Sequence, residues 1–154
     1  MPDRSFRHSV EVPRPKEAVF AALTRVERAS DWMDAVQRVE RLDEGPLRVG
    51  STYREVRRLG SREVSAVIEV VELSGEGDGP WAITHASTGM GVRATYRFTV
   101  AASGAGEDHS VVVHEARVEP VSFLGRLMAG TMLKAMRRAD GALVERFARS
   151  LDAP

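Results

Sequence analysis

No cysteine occurs in the 154 residues of this chain. Disulfides, thiolate nucleophiles and Cys-ligated metal centres are excluded together, and a cytoplasmic location is the expectation. Long apolar runs are also missing: nothing approaches the ~20 residues that a bilayer-crossing helix needs. The N-terminal stretch MPDRSFRHSVEV is polar and alternating, unlike a secretory leader. A surplus of either charge is absent too, with 22 Lys and Arg balanced by 22 Asp and Glu. No net field therefore draws the chain to nucleic acid or to an anionic surface, and the expected partners are small or uncharged. Repeats and low-complexity tracts are absent. What remains, 43% hydrophobic and 29% charged residues, is an ordinary globular composition at a length that suits one domain, residues 1–154.

The alternation is strongest at the start. In Phe6–Val12, Phe6, His8, Val10 and Val12 share one face and Arg7, Ser9 and Glu11 the other. Pro13 and Pro15 end that strand. Pro15 suits the first residue of a helix with Ala18, Val19, Ala22 and Leu23 as its apolar stripe, and a second short helical piece over 26–31 leads into Trp32 and Met33. Six strands follow, at 35–42, 52–58, 62–73, 81–87, 92–101 and 110–118, separated by turn-forming segments such as DEGPLRVG, SGEGDG and TGMG. Short connections between consecutive strands imply an antiparallel meander. After Pro120, Ser122 is a helix cap. Leu124, Leu127, Met128, Thr131, Met132, Ala135, Ala139, Leu143 and Phe147 then recur at spacings of three and four, which predicts one long helix with that face apolar. Gly125, Gly130 and Gly141 weaken it by roughly 1 kcal/mol each relative to Ala, so each implies close approach to the sheet or space left open.

The expected fold class is therefore α+β: a seven-stranded curved antiparallel sheet wrapped around a long C-terminal helix, with two short helices between strands 1 and 2. That order, together with VPRPKEAVFAALTRVERASDWMDAVQRVERLDEGPLRVGSTYREV, resembles the START-like helix-grip superfamily labelled SRPBCC, in particular its polyketide cyclase/dehydrase and lipid-transport branch. The matching features are Val12-Pro13-x-Pro15-x-x-x-Val19-Phe20, Trp32 after the short helices, and Val49-Gly50 entering the third strand. The resemblance spans the chain. It implies a helix-grip fold and an apolar small-molecule ligand without naming the ligand, because the superfamily includes binders and enzymes alike.

Turn length sets the register. With Gly60-Ser61 as a two-residue turn, Arg57 pairs with Val64, Glu55 with Ala66 and Tyr53 with Ile68. Those six residues and Val70 then share the inner face. The next hairpin places Trp81, Ile83, His85 and Ser87 inside with Val92, Ala94, Tyr96, Phe98 and Val100. In the last strand Val111, Val113, Glu115 and Arg117 compete with Val112, His114, Ala116 and Val118 for the interior, and the pattern leaves the choice open. An inward carboxylate is costly unless water, a cation or a ligand partners it. Glu55 thus has two readings: an acid in a hydrated pocket, or one reaching solvent or pairing with Arg57. His85 is either a structural histidine or an acid/base group, Trp32 either an edge plug or a cover on the pocket mouth. His8 and His109 read as structural or solvated. His109 and His114, on opposite faces, make no metal site, and no metal or cofactor is expected.

Three functions follow from this reading. The first is binding of a small hydrophobic, ring-containing or lipid-like ligand by Trp32, Tyr53, Glu55, Trp81, Ile83, His85, Tyr96, Met128 and Met132. The second adds chemistry, a polyketide cyclase or dehydratase with Glu55 or His85 as general acid/base. The third is a protein-interaction module with a vestigial cavity. Monomer and homodimer are both open.

Overall fold

The structure is a computed structural model that describes residues 4–59, 61–140 and 142–152. β1 (Ser5–Val12) is followed by α1 (Lys16–Leu23) and a 3-10 turn at Val26–Asp31. Then come β2 (Val36–Arg41), β3 (Thr52–Leu59), β4 (Arg62–Ser74), β5 (Trp81–Gly89), β6 (Val92–Ala102) and β7 (Ser110–Pro120), and finally α2 (Phe123–Asp140) and α3 (Leu143–Ser150). All seven strands form one antiparallel sheet in the order β1-β7-β6-β5-β4-β3-β2. The meander is thus continuous from β2 to β7, and β1 closes onto β7. No described helix is long and apolar enough to cross a membrane.

The hairpin register is as the turns imply. Tyr53 faces Ile68, Glu55 faces Ala66 and Arg57 faces Val64; Gly60, on which the expected turn geometry depends, lies outside the described residues. His85 pairs with Tyr96 and Ile83 with Phe98. A bulge between Val70 and Glu72 shifts β4 against β5, so that Val70 faces His85 while Leu73 faces Ile83. The open question in β7 resolves toward Val112, His114, Ala116 and Val118, all fully buried. Their partners in β1 require it, because directly opposed residues share a face and His8 pairs with His114 and Val10 with Val112.

Two stretches of core hold the helices. Val19, Leu23, Trp32, Phe98, Leu143, Val144 and Phe147 pack α1 and α3 against one end of the sheet. Phe6, Val92, Ala94, Ala116, Val118, Ala129, Leu133 and Met136 pack α2 against the other. In α1 the buried side is Lys16, Val19, Phe20 and Leu23, so Ala18 is outside. Lys16 is buried because its ammonium donates to the carbonyls of Gly79 at 3.1 Å and Gly77 at 3.3 Å and lies 4.4 Å over the Trp81 ring.

The C-terminal helical segment differs from the expected stripe in two ways. It is broken after Asp140 and resumes at Leu143, with Gly141 outside the described residues. It is also rotated: Gly125, Ala129, Leu133, Met136 and Asp140 face the sheet, whereas Leu124, Leu127, Thr131 and Ala135 are exposed. The cause is one close approach. A Cβ on Gly125 would lie 1.7 Å from the Gly91 carbonyl oxygen, so only glycine lets the first turn seat there. Ser122 caps that turn by accepting from the Gly125 N–H at 3.1 Å. Gly130 has nothing within 4 Å of such a Cβ and leaves open space instead.

Candidate functional site

Between the sheet and the helices lie two adjacent hollows. The inner chamber is lined by Leu23, Val26, Ala29, Trp32, Met33, Tyr53, Glu55, Arg57, Ile68, His85, Tyr96 and Phe98 and has a volume of about 40 Å³, room for about three waters. The outer one, about 240 Å³, is a mouth walled by Val64, Ser65, Ala66, Ser87, Ala94, Met132 and Met136, and it too is bounded by Glu55, Arg57, Ile68 and Tyr96. Those four side chains are common to both hollows and therefore form the partition between them. Val64 and Ala66 share the inner face yet are exposed, because they line the open mouth.

The partition is charged. Glu55 is only 5% exposed, and Arg57 Nε donates to its Oε1 at 2.5 Å. This is the pairing alternative for Glu55, realised in the interior. Burial alone would favour loss of the Arg57 proton, but the charge and hydrogen bond of Glu55 oppose that and the guanidinium stays charged. Asp140, at the end of α2, is buried and its Oδ2 has no hydrogen-bond partner. Burial raises its pKa, Arg57 opposes the rise, and Glu55 adds to it. Two carboxyls thus face one guanidinium, and the one farther from it is driven toward its neutral acid. The Tyr96 hydroxyl faces Asp140, and burial first, then the charge of Asp140, pushes its pKa up.

A second polar pair lies deeper. The Tyr53 hydroxyl and His85 Nδ1 are 3.0 Å apart. Burial depresses His85 to about 4, so its imidazole is neutral at pH 7, while burial and the charge of Glu55 raise Tyr53. The pair is a phenol and a neutral imidazole sharing one hydrogen, set against Phe98. His114 stands behind it, fully buried, stacked between Tyr96 and Phe98 with ring centroids 5.7 and 4.6 Å away. Neither of its ring nitrogens has a partner, and burial, reinforced by His8 and His85, lowers it to about 3.

Of the expected site residues, Trp32, Tyr53, Glu55, His85 and Tyr96 come together in the inner chamber, and Met132 lines the mouth. Trp32 is a chamber wall rather than a cover on the mouth: it meets Phe98 and Phe147 edge-on at 5.8 and 5.0 Å. Three others stand apart. Trp81 packs on Phe20 at 5.4 Å and donates to the Gly77 carbonyl, since it begins β5 beside α1, remote from the mouth. Ile83 is completely buried in the core, and Met128 packs on the Phe6–Leu133 cluster. Arg57, Phe98, Asp140 and His114 were not among the expected site residues. Alternation puts Arg57 inside beside Glu55, and the pairing is one of the two readings of Glu55, but nothing local makes that cation part of a cavity wall. His114 belongs to one of the two faces that the pattern leaves open for the last strand, and Asp140 carries no local signal, because the strands that surround them are distant in sequence.

Comparison with solved structures shows the same fold. The Zhui aromatase/cyclase from Streptomyces sp. R1128 superposes with a TM-score of 0.73 at 16% identity, over 97% of this chain and 93% of that one. A STAR-related lipid transfer protein fragment from Xanthomonas axonopodis gives 0.69 at 18% identity, over 98% and 87%. Norcoclaurine synthase from Thalictrum flavum gives 0.66 at 12% identity, over 97% and 87%. No curated protein sequence matches the chain. The sequence profile of the polyketide cyclase/dehydrase and lipid transport family matches residues 3–152, and the chain belongs to that family.

Proposed function

We propose that the protein binds a small, predominantly apolar molecule carrying one polar end. The apolar body lies in the mouth under Met132 and Met136, and the polar end meets Glu55 and Arg57. The observation that carries this reading is the position of that ion pair. Two opposite charges are held in a mainly apolar hollow, accessible from the mouth, where a ligand donor or acceptor could exchange with either partner. A chamber of about 40 Å³ admits no ring, so a ligand that enters fully does so by displacing Tyr96 and the Arg57 side chain. The test is extraction of the purified protein with organic solvent after native mass spectrometry, with titration of 1-anilinonaphthalene-8-sulfonate as the apolar probe. Ser87→Trp, which narrows the mouth at a half-buried position, weakens probe binding at least tenfold with the melting temperature held. Unchanged affinity overturns the proposal.

The Tyr53–His85 pair favours a second reading, a cyclase or dehydratase acting on a polyketide-like chain. That chain would fold in the outer mouth, and with Tyr96 displaced its reacting end would meet the phenol and the neutral imidazole, which together could relay a proton. Glu55, bound to Arg57, serves better as a positioning charge than as the acid. Tyr53→Phe and His85→Gln would then abolish ring closure while leaving probe binding intact. Retained turnover excludes this role.

A further inference from the structure

The chain is neutral overall, yet one corner is not. Phe123, Leu124 and Leu127 in the first turns of α2 are 76%, 54% and 65% exposed, and Val121 and Met90 beside them are 58% and 60% exposed. They form one surface: the Val121 N–H donates to the Gly91 carbonyl at 2.7 Å, and Gly91 is the residue against which Gly125 seats. Met90 occupies its turn at φ 54°, a left-handed conformation that side chains such as Met rarely adopt. The burial of an apolar side chain does not explain that choice, since it faces outward.

Charge surrounds these side chains on one side. Arg4, Arg126 and Lys134 share a groove of about 380 Å³ alongside Leu127. Helix α2 also carries Arg137 and Arg138, and its one acid, Asp140, is buried. Glu119, near the end of β7, stands opposite Arg93. The corner also adjoins the mouth of the cavity, because Ser87 and Ala94, which line the mouth, are a cross-strand pair of the hairpin whose turn contains Met90.

We propose that this corner docks on an anionic lipid bilayer. Phe123, Leu124, Leu127 and Met90 enter the boundary between headgroups and acyl chains, and Arg4, Arg126 and Lys134 meet the anionic headgroups. A second copy of the chain fits the surface poorly. A two-fold contact would set the α2 cations of each protomer against those of its twin. The docking stands on the corner itself; its use, loading the cavity from the membrane without passage through water, rests on the ligand-binding reading above.

The experiment is vesicle flotation with the full chain, comparing phosphatidylcholine vesicles with phosphatidylcholine/phosphatidylserine vesicles. The expected result is binding to the mixed vesicles that falls with added salt and is several-fold weaker on phosphatidylcholine alone. Phe123→Ser with Leu127→Ser lowers vesicle affinity about tenfold or more, and Arg126→Glu with Lys134→Glu abolishes the preference for the anionic lipid. Both double variants change exposed positions and keep the wild-type melting temperature and 1-anilinonaphthalene-8-sulfonate affinity. Absence of binding to the mixed vesicles overturns the proposal, as does binding that Phe123→Ser with Leu127→Ser leaves unchanged. Dimerisation in light scattering that the same variant abolishes, with no vesicle binding, assigns the corner to a second copy instead. Loss of probe binding with docking intact would remove the cavity reading and leave this one standing.

Discussion

Replacing Arg57 with Met separates the charge of the partition from its bulk. The variant leaves the Glu55 carboxylate, 5% exposed, without its guanidinium. Breaking a buried pair from one side costs about 3–5 kcal/mol. The mouth admits water to the pair, and the Arg57 side chain is 19% exposed, so the low end, about 3 kcal/mol, is expected. For a chain of this length that corresponds to a fall in melting temperature of about 6–12 °C. Glu55→Gln combined with Arg57→Met removes both charges, and an amide beside a thioether leaves far less to desolvate. The double variant is expected to recover at least half of the loss, giving a coupling of about 1.5 kcal/mol or more in a double-mutant cycle. Thermal and urea denaturation at pH 7 followed by circular dichroism measure all four corners. If Arg57→Met costs under about 1 kcal/mol, the pair behaves as an exposed one and the partition is hydrated. If the double variant is as unstable as Arg57→Met, the loss comes from the aliphatic stem of Arg57 against the mouth and not from a stranded charge.

Acid should weaken the fold through two buried histidines. His85 and His114 have folded pKa values lowered to about 4 and about 3 against about 6.5 unfolded. The unfolded chain therefore binds more protons below pH 6.5, and stability that is complete above that value is lost progressively toward pH 4 for His85 and pH 3 for His114, at up to about 1.4 kcal/mol per pH unit for each. Denaturation midpoints at pH 7 and pH 5 read this slope, which His114→Phe should reduce by about half; an unchanged slope would show that His114 is hydrated. Asp43 contributes separately. Held down to about 2, first by its hydrogen bond to Arg41 and also by Ser51 and Thr52, it supports the β2–β3 loop above pH 4 and releases it as pH falls toward 2. Gly125→Ala places a methyl group on the Gly91 carbonyl and is expected to cost about 1–3 kcal/mol, whereas Gly130→Ala, with open space around it, is expected to stabilise the helix by up to about 1 kcal/mol. Chemical denaturation of the two variants side by side checks the sign of each.

Alternation and turn chemistry are local properties, and they were enough for the strands, the meander from β2 to β7 and the inward face of β3 to β6. The pairs Glu55–Ala66 and His85–Tyr96 could be written down from turn length alone, since a period of two leaves one register for each short hairpin. Even the proximity of Glu55 and Arg57 is local, because residues two apart in a strand share a face. Distances across the fold are another matter. The rotation of α2 depends on a glycine–glycine contact between residues 91 and 125, which exposes Leu124 and Leu127 although their spacing marks them as core. The inward face of β7 is settled by pairing with β1, a hundred residues away. Whether the two hollows merge depends on the partition of Glu55, Arg57, Ile68 and Tyr96, and the acid that Tyr96 and Arg57 both feel, Asp140, arrives from the far end of a helix. Periodicity specifies which side of an element is apolar; close packing between elements decides which of those side chains touch, what space is left, and which charges must share it.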